Sequence, residues 1–255
     1  MAARIKVTIA YDGTHYAGWQ IQPKDPTVQA EVERAAAAVL NQKVAVVASG
    51  RTDSGVHAHG QVCHFDSPND GIPPEKYSLA LNRHLPQDIR VLESCLVAND
   101  FHARYSAIAR EYRYYLLQSR IAEPFDRPYC YSHSQLPPVA LLDAYAACLV
   151  GVHDFTTFSA IGDESISKVR AVHSASVFMQ RGVMVFRIVG NAFLWRMVRS
   201  LVGTMLELGR AGEEPHNMAQ LIRRQERTAA GATAPPQGLF LHKVSYETFD
   251  EKRGT

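Results

Sequence analysis

One order of secondary structure occurs twice along the chain, and this repeat limits the fold more than any other feature of the sequence. Alternating apolar residues predict the strands, and apolar residues three or four apart predict the helices. In the first half the order is strand Arg4–Tyr11, helix Thr27–Asn41, strand Val44–Ser49, strand Gln61–Phe65, helix Pro74–His84 and strand Ile89–Ala98. In the second half it is strand Ala109–Gln118, helix Pro138–Val150, strand Val169–Gln180, strand Val183–Gly190, helix Leu194–Leu208 and strand Leu239–Tyr246. Both halves fit the split β-α-β-β-α-β order of ferredoxin-like units.

The repeat predicts an α+β protein made of two such halves, residues 1–105 and residues 106–255. Each antiparallel sheet is expected to carry its helices on one face, and the halves are expected to meet at a cleft. The second half is longer because it carries two insertions, Ser119–Pro137 and Gly209–Gly238. No low-complexity segment or long linker separates the halves, so we expect them to share an interface.

Composition indicates a packed globular protein. Residues of the AVILMFWYC set make up 46% of the chain and charged residues 20%, which excludes intrinsic disorder and a disulfide-dense scaffold. The longest apolar stretch, Val139–Val152, contains Asp143 and is shorter than the ~20 residues of a membrane helix. The N-terminal segment lacks the apolar block of ~7–15 residues found in signal peptides. The four cysteines form no C-x-x-C pair and lie in apolar runs, which favours buried free thiols. We therefore expect a cytoplasmic protein that does not span a membrane.

The distribution of charge is more informative than its total. Lys and Arg number 27 and Asp and Glu 25, and a formal net charge of +2 neither requires nor excludes a nucleic-acid partner. Arginine outnumbers lysine 20 to 7, and the stretch Arg181–Arg210 holds five arginines against one acid, Glu207. This bias suits bidentate phosphate contact and stacking, although an ordinary solvated face has the same composition.

The polar loop Ser49–Gly60 has the densest set of chemically active side chains in the sequence. It places Arg51, Asp53 and two histidines, with hydroxyls and three glycines, between two predicted strands. The glycines permit positive φ angles and close approach of the backbone to a ligand. Arg51 favours the ionised form of Asp53, and an ionised carboxylate suits a nucleophile or a charge stabiliser better than a general acid. A purely structural turn, in which Asp53 caps backbone amides and Arg51 makes a surface ion pair, explains the same residues.

The histidines of this region do not form a recognisable metal site. The candidate ligands are His57, His59, Cys63 and His64, with Asp53. Their spacing matches no zinc pattern, and strand alternation directs Cys63 and His64 to opposite faces of the sheet. We therefore expect no metal.

Two further motif searches give no support for a phosphatase or for the binding of a nucleotide cofactor. Asp12-Gly13-Thr14 after a strand is similar to the aspartyl-phosphate loop of haloacid-dehalogenase-like phosphatases, but Ala10 occupies the position of the nucleophile. The chain has no G-x-x-x-x-G-K and no G-x-G-x-x-G, so nothing supports the binding of a nucleotide cofactor.

The polar loop carries a resemblance to a known family. Gly50-Arg51-Thr52-Asp53-Ser54-Gly55-Val56-His57-Ala58 resembles the catalytic signature of the TruA family of tRNA pseudouridine synthases, in which alanine often stands in place of Ser54. Further blocks stand in family order over nearly the whole chain: Tyr11-Asp12-Gly13, Gly18-Trp19-Gln20, Thr27-Val28-Gln29, Phe101-His102-Ala103-Arg104, Arg110 to Tyr114, His153-Asp154-Phe155-Thr156, Asn191-Ala192-Phe193, Met197-Val198-Arg199 and Gly238-Leu239. With so many blocks in the same order, the probability of chance agreement is very small.

The resemblance implies an isomerase that converts uridine to pseudouridine in the anticodon stem-loop of tRNA, at positions 38, 39 or 40. It implies that Asp53 is the nucleophile and that Arg51 is its partner in displacing the base. It also implies that the Tyr112 ring packs on the target uracil and that Arg199 is the basic residue beside the nucleophile, in a catalytic cleft. Family members are homodimers in which one tRNA contacts both subunits, and we expect a homodimer here. The reaction needs no external group and no redox change, so no cofactor is expected.

Two functions stay open on the sequence. One is the RNA-modifying isomerase, and the other is a catalytically silent RNA-binding protein on the same fold. The combination of Asp53, Arg51 and Tyr112 favours the isomerase, because a silent binder has no use for a nucleophile in a glycine-lined loop. Among the aromatic residues, Tyr16, Trp19 and Trp195 are candidates either for RNA stacking or for the core.

Overall fold

The computed structural model describes residues 3–68 and 71–246, in which helices are interspersed among strands. The elements are β1 (Ala3–Tyr11), α1 (Val28–Leu40), β2 (Val47–Ala48), β3 (His57–Ser67), α2 (Tyr77–Asn82), β4 (Ile89–Leu96), β5 (Ala109–Gln118), β6 (Tyr131–His133), α3 (Val139–Ala147), β7 (Gly151–Asp154), β8 (Val169–Gln180), β9 (Val183–Gly190), α4 (Met197–Ala211), α5 (Pro215–Arg224) and β10 (Leu239–Ser245). Short 3-10 helices cover Pro74–Lys76, Thr156–Phe158, Arg227–Ala229 and Pro236–Gly238. Helices and mostly antiparallel strands confirm the α+β class.

The chain divides into two units. Unit 1 comprises the described residues of Met1–Ile108 and Phe240–Thr255, and unit 2 comprises Ala109–Leu239. In unit 1, β1 pairs antiparallel with both β3 and β4, and β2 pairs antiparallel with β3. β10 runs parallel to β3, with Phe240 opposite His57 and Leu241 opposite Ala58. The strand that ends the sequence repeat therefore pairs with a strand of the first half.

Unit 1 has its core between this sheet and α1. The buried residues of β1 alternate as a period of two requires, and those of α1 fall on one stripe: Ile5, Val7, Ile9 and Tyr11 on β1, and Val28, Val32, Ala35, Ala36 and Leu40 on α1. α1 ends at Asn41, which adopts the left-handed conformation with φ 54°.

In unit 2 the strand order is β5-β9-β8-β7, all antiparallel, and β6 pairs parallel with the end of β5. Along β5, Tyr112 lies opposite Ile188 and Tyr114 opposite Phe186 on β9. α3 packs on β8 and contacts α4 and α5. The first three turns of α4 are almost entirely buried, so this helix is a central element of the unit.

Several predicted boundaries differ from the structure, and the starts of β3 and α4 differ for clear local reasons. β3 begins at His57 instead of Gln61 because β1 and β10 supply partners for Ala58 and His57. Thr27 precedes α1 as predicted but makes no capping hydrogen bond through its side chain. α4 begins at Met197 instead of Leu194, because the preceding residues form a tight turn.

Candidate functional site

Asp53 lies in the segment between β2 and β3, which the sequence singled out, and Arg51 is in the same segment. Asp53 is half-buried, Arg51 is exposed, and Thr52 between them is buried. The Thr52 hydroxyl lies 2.8 Å from the hydroxyl of Tyr11, and the Thr52 carbonyl accepts a hydrogen bond of 3.1 Å from the Trp19 amide. The residue that precedes Asp53 is therefore held by both its side chain and its backbone.

A tight turn follows Asp53. The Val56 amide donates to the Asp53 carbonyl over 3.1 Å, and Gly55 adopts φ 75° at the third position of this turn. A positive φ at that position is the mark of a type II turn and favours glycine. The Gly55 amide also donates to the Tyr16 carbonyl, which fixes the turn against the segment after β1.

Gln61 anchors the start of the loop from inside the unit. Its side chain is fully buried. The Ser49 hydroxyl donates to Gln61 Oε1 over 2.6 Å, and Gln61 Nε2 donates to the Gly50 carbonyl over 2.9 Å. Both ends of Gln61 thus bind the two residues before Arg51, and a buried amide must find such partners.

Two glycines of the segment after β1 allow the backbone of the loop to come close. A Cβ atom on Gly18 would lie 2.5 Å from the Thr52 carbonyl oxygen, and one on Gly13 would lie 2.1 Å from the Val56 carbonyl oxygen. Gly18 also has φ +98°. The Tyr11-Asp12-Gly13 and Gly18-Trp19-Gln20 blocks are therefore structural supports of the Asp53 loop.

His57 links the same two segments. Its Nδ1 atom lies 3.0 Å from the Gly13 amide and 3.1 Å from Asp12 Oδ1. Unprotonated Nδ1 accepts from the amide, whereas Nδ1–H donates to the carboxylate, so the two contacts belong to different tautomers. Either one ties the end of the loop to the turn after β1. The ring is fully buried and stacks on Phe240 at 4.6 Å between centroids.

Tyr112 lies on β5 in unit 2. Its half-buried ring meets the edge of the Phe193 ring, with 5.1 Å between centroids and an interplanar angle of 81°. Phe193 in turn lies over Gly190, where a Cβ atom would be 3.2 Å from the ring. Packing therefore restricts the orientation of the Tyr112 ring.

Arg199 lies in the first turn of α4 in unit 2 and is half-buried. Its Nε atom donates to the Ala234 carbonyl over 2.8 Å, and the Ala234 amide donates to the Arg199 carbonyl over 3.0 Å. Further along α4, a Cβ atom on Gly203 would lie 1.7 Å from the Ala232 carbonyl oxygen, and Glu207 accepts from the Ala232 amide. The insertion after α5 thus runs against α4 and holds the stem of Arg199.

The opposite face of β5 carries a charged cluster. Glu111 accepts from Arg113 Nε at 2.8 Å and from Arg187 on β9 at 3.0 Å. Burial favours the neutral form of Glu111, but the hydrogen bonds from Arg187 and Arg113 outweigh it and lower the pKa of Glu111. Tyr112 is separated from this cluster because alternate residues of a strand point to opposite faces.

The three aromatic candidates for RNA stacking differ in their exposure to solvent. Trp19 and Tyr16 are 2% and 7% exposed, so both belong to the core, and the Tyr16 hydroxyl donates to Asp88. Trp195 is 45% exposed.

The histidine-rich stretch has structural roles. His64 is buried, and its Nδ1 atom accepts a hydrogen bond from the Ala103 amide. Burial, with smaller effects of Arg4 and His102, lowers the pKa of His64 to about 4. The four cysteines are free, and burial raises the pKa of Cys63. Within residues 3–68 and 71–246, no three His, Cys, Asp or Glu side chains are grouped so as to hold a metal ion.

Two supporting residues of the structure were not predicted from the sequence. Gln61 and Asp163 each place a buried polar group at the centre of several hydrogen bonds. The available signal for Gln61 was a polar residue beside an apolar strand segment. Asp163 lies in a loop where its partners, including the distant Trp195 amide, follow only from the tertiary structure.

Comparison with known proteins places these residues in a family context. A family described as tRNA pseudouridine synthase matches residues 7–106 and 145–247. The chain is 42% identical over 247 residues to tRNA pseudouridine synthase A of Exiguobacterium sp., covering 97% of this chain and 99% of the relative. It is 45% identical over 245 residues to the protein of the same name from Lysinibacillus sphaericus, covering 95% of this chain and 99% of the relative. It is 41% identical to that of Treponema denticola, covering 95% of this chain and 92% of the relative. Among the helices that the structure describes, none is long and apolar enough to cross a membrane.

Proposed function

Because the chain belongs to the tRNA pseudouridine synthase family, we propose that it isomerises uridine to pseudouridine in tRNA, with Asp53 as the nucleophile. The observation that carries the proposal is the way hydrogen bonds hold the backbone on either side of Asp53. Hydrogen bonds from the core fix the residues on both sides of it, while Asp53 itself is half-buried. A carboxylate on a fixed backbone that is not fully enclosed by the protein suits nucleophilic attack on a bound sugar or base.

The proposed reaction breaks the N1–C1′ bond of uridine and forms a C5–C1′ bond. Attack by the Asp53 carboxylate on C1′ or on C6 divides this exchange into two easier steps. The detached uracil turns, C5 bonds to C1′, the bond to Asp53 breaks and frees the carboxylate, the C5 hydrogen leaves as a proton and N1 gains a proton. The net change is an isomerisation, so the proposal requires no cofactor.

The remaining roles in the proposal follow the family resemblance. The target nucleotide must leave its stack before Asp53 reaches the sugar, which costs a few kcal/mol. Exposed Arg51 fills the vacated space or binds the adjoining phosphate. Tyr112 holds the uracil by stacking, and Arg199 supplies positive charge beside the nucleophile. The packing of Tyr112 on Phe193 and the anchoring of Arg199 by Ala234 support these roles, because both side chains are preorganised.

The proposal also covers the finer expectations from the sequence. Its substrate sites are positions 38, 39 or 40 in the anticodon stem-loop, and its working form is a cytoplasmic homodimer. The first half is proposed to be a ferredoxin-like unit, and the order β4-β1-β3-β2 with antiparallel neighbours supports this assignment.

The test is tritium release from an unmodified tRNA transcript labelled at uracil C5. Wild type is compared with Asp53→Asn, and Asp25→Asn, which changes an exposed aspartate, is the matched control. We expect release with wild type and Asp25→Asn and none with Asp53→Asn, whose tRNA binding stays within about tenfold, or ~1.4 kcal/mol. Tritium release by purified Asp53→Asn would refute the assignment of Asp53 as the nucleophile. Tight tRNA binding without release by wild type would favour the silent RNA-binding protein.

A further inference from the structure

Trp195 and Arg196 form an exposed aromatic and cationic pair just before α4. Trp195 is 45% exposed and Arg196 is exposed as well. The guanidinium carbon of Arg196 lies 4.9 Å from the centroid of the Trp195 ring, within the range of a cation–π contact. The chain therefore presents, on the surface of unit 2, a flat indole with a planar cation over its ring.

The backbone of this pair is held from two sides. The Trp195 amide donates to Asp163 Oδ2, and the Trp195 carbonyl accepts from the Ala160 amide over 3.0 Å. The Asp163 side chain is almost fully buried and also accepts from Lys168 and from the Ser165 amide. Burial favours neutral Asp163, but the hydrogen bonds from Lys168, Trp195 and Ser165 outweigh it and hold its pKa well below the usual range. The backbone under this exposed side-chain pair is therefore fixed by hydrogen bonds.

Arg196 occupies a backbone position that does not suit arginine. The Met197 amide donates to the Leu194 carbonyl, and Arg196 has φ 59° at the third position of this turn. Glycine or asparagine is favoured at such a position, and a long side chain there is strained. Strain of this kind is a reason to look for a function of the side chain.

The chemistry of the pair favours one kind of occupant. Unpaired RNA bases stack on aromatic rings and on guanidinium planes, and guanidinium groups bind phosphates through two parallel hydrogen bonds. Ile161, in the loop that carries Asp163, is 87% exposed and adds apolar surface. A polyanion with exposed bases matches both halves of the pair, whereas a purely apolar partner would leave the guanidinium uncompensated.

We infer that Trp195 and Arg196 bind one unpaired nucleotide of the tRNA substrate, the base stacking on the pair and a phosphate binding Arg196. The inference rests on the proposed function and adds a binding contact to it. Because the pair is assigned to binding and not to the chemistry, its loss should raise KM and leave kcat within about twofold.

Tryptophan fluorescence gives a direct test. The chain has two tryptophans, and Trp19 is buried, so quenching by a stacked base should come from Trp195. We expect unmodified tRNA to quench wild-type fluorescence and to leave Trp195→Phe unquenched, with its affinity within about threefold of wild type. Trp195→Ala should bind tRNA about tenfold or more weakly, since a stacked base contributes that much to affinity. Quenching that persists in Trp195→Phe, or wild-type affinity in Trp195→Ala, would overturn the inference.

A matched pair of glycine variants separates binding from folding. Arg181 in the β8–β9 turn is also exposed and also has positive φ, 50°. Both Arg196→Gly and Arg181→Gly should keep or raise the thermal midpoint, because both relieve strain. Only Arg196→Gly should weaken tRNA binding and lower the slope of log Kd against log salt, by about 0.7 to 1 for one lost phosphate contact. Equal binding by the two variants would overturn the role of Arg196.

The proposed function and this inference fail in different ways. If wild type releases no tritium from labelled tRNA, the proposed isomerase activity fails. If wild type releases tritium and Trp195→Ala matches it in KM and in affinity, the activity stands and the Trp195–Arg196 contact is wrong.

Discussion

The hydroxyl of Tyr11 lies 2.8 Å from Oγ1 of Thr52, and both side chains are buried. This contact joins the last residue of β1 to the residue that precedes Asp53. Removal of one partner leaves the other hydroxyl buried without this hydrogen bond, which costs more than removal of both.

A double-mutant cycle should reveal the Tyr11–Thr52 contact. We expect Tyr11→Phe and Thr52→Val each to lower the free energy of unfolding by about 1–3 kcal/mol, and the double variant to lose less than the sum. Urea unfolding measures all four proteins. Strict additivity would mean that the two hydroxyls do not stabilise each other.

Gly18 should tolerate no side chain, whereas Gly50 should tolerate one. A Cβ atom on Gly18 would lie 2.5 Å from the Thr52 carbonyl and φ is +98°, whereas a Cβ atom on Gly50 would meet nothing within 4 Å. We expect Gly18→Ala to cost at least about 2 kcal/mol of unfolding free energy and Gly50→Ala about 1 kcal/mol or less. Thermal and urea unfolding compare the two variants, and equal losses would contradict the close approach at Gly18.

The strands of unit 2 show how far the sequence alone reaches. The predicted and observed bounds of β5, β8 and β9 agree, because long alternating runs and the Arg181-Gly182 turn encode them locally. The start of β3 at His57 was not predictable, since it depends on β10, a strand more than 180 residues away in the chain. The turn before α4 was missed because Arg196 in a left-handed conformation contradicts its local preference.

The same division applies to the candidate site. Arg51 and Asp53 stand out because charged residues, hydroxyls and glycines concentrate in one loop. The parts that hold the loop in place, such as Gln61 and the Tyr11 hydroxyl, are ordinary residues of strands in the sequence. Gln61 meets its partners only when β2 pairs with β3, and the Tyr11 hydroxyl meets Thr52 only in the folded unit.

Tyr112→Phe should separate stacking from proton transfer. The variant keeps the ring that packs on Phe193 and removes only the hydroxyl. We expect tRNA affinity within about twofold and a tritium release rate lowered about 100-fold or more under single-turnover conditions, as the loss of a general acid–base group implies. Tyr115→Phe, on the other face of β5, is the matched control and should react like wild type. An unchanged rate in Tyr112→Phe would leave the ring a stacking role only.

Arg199→Lys should show that the guanidinium is more than a positive charge. Lysine keeps the charge but loses the Nε–H that donates to the Ala234 carbonyl. We expect about 1 kcal/mol less unfolding free energy and kcat/KM for tRNA lowered about tenfold. Arg223→Lys, at an exposed position of α5, is the control and should change neither quantity. If Arg199→Lys kept the wild-type kcat/KM, only the positive charge of Arg199 would matter for the activity.

Buried His64 should make unit 1 less stable in mild acid. Its pKa is about 4 in the folded protein, against 6.5 for an unperturbed histidine, because burial disfavours the charged ring and the nearby Arg4 and His102 add smaller effects. The unfolded chain therefore binds a proton more readily, so stability is full above about pH 6.5 and falls as the pH drops toward 4. The loss should reach about 3 kcal/mol near pH 4, as a shift of this size implies. Urea unfolding between pH 4 and 7 should show this slope reduced in His64→Phe and retained in His173→Gln, which alters an exposed histidine. An identical pH dependence in His64→Phe and wild type would show that other groups cause the acid sensitivity.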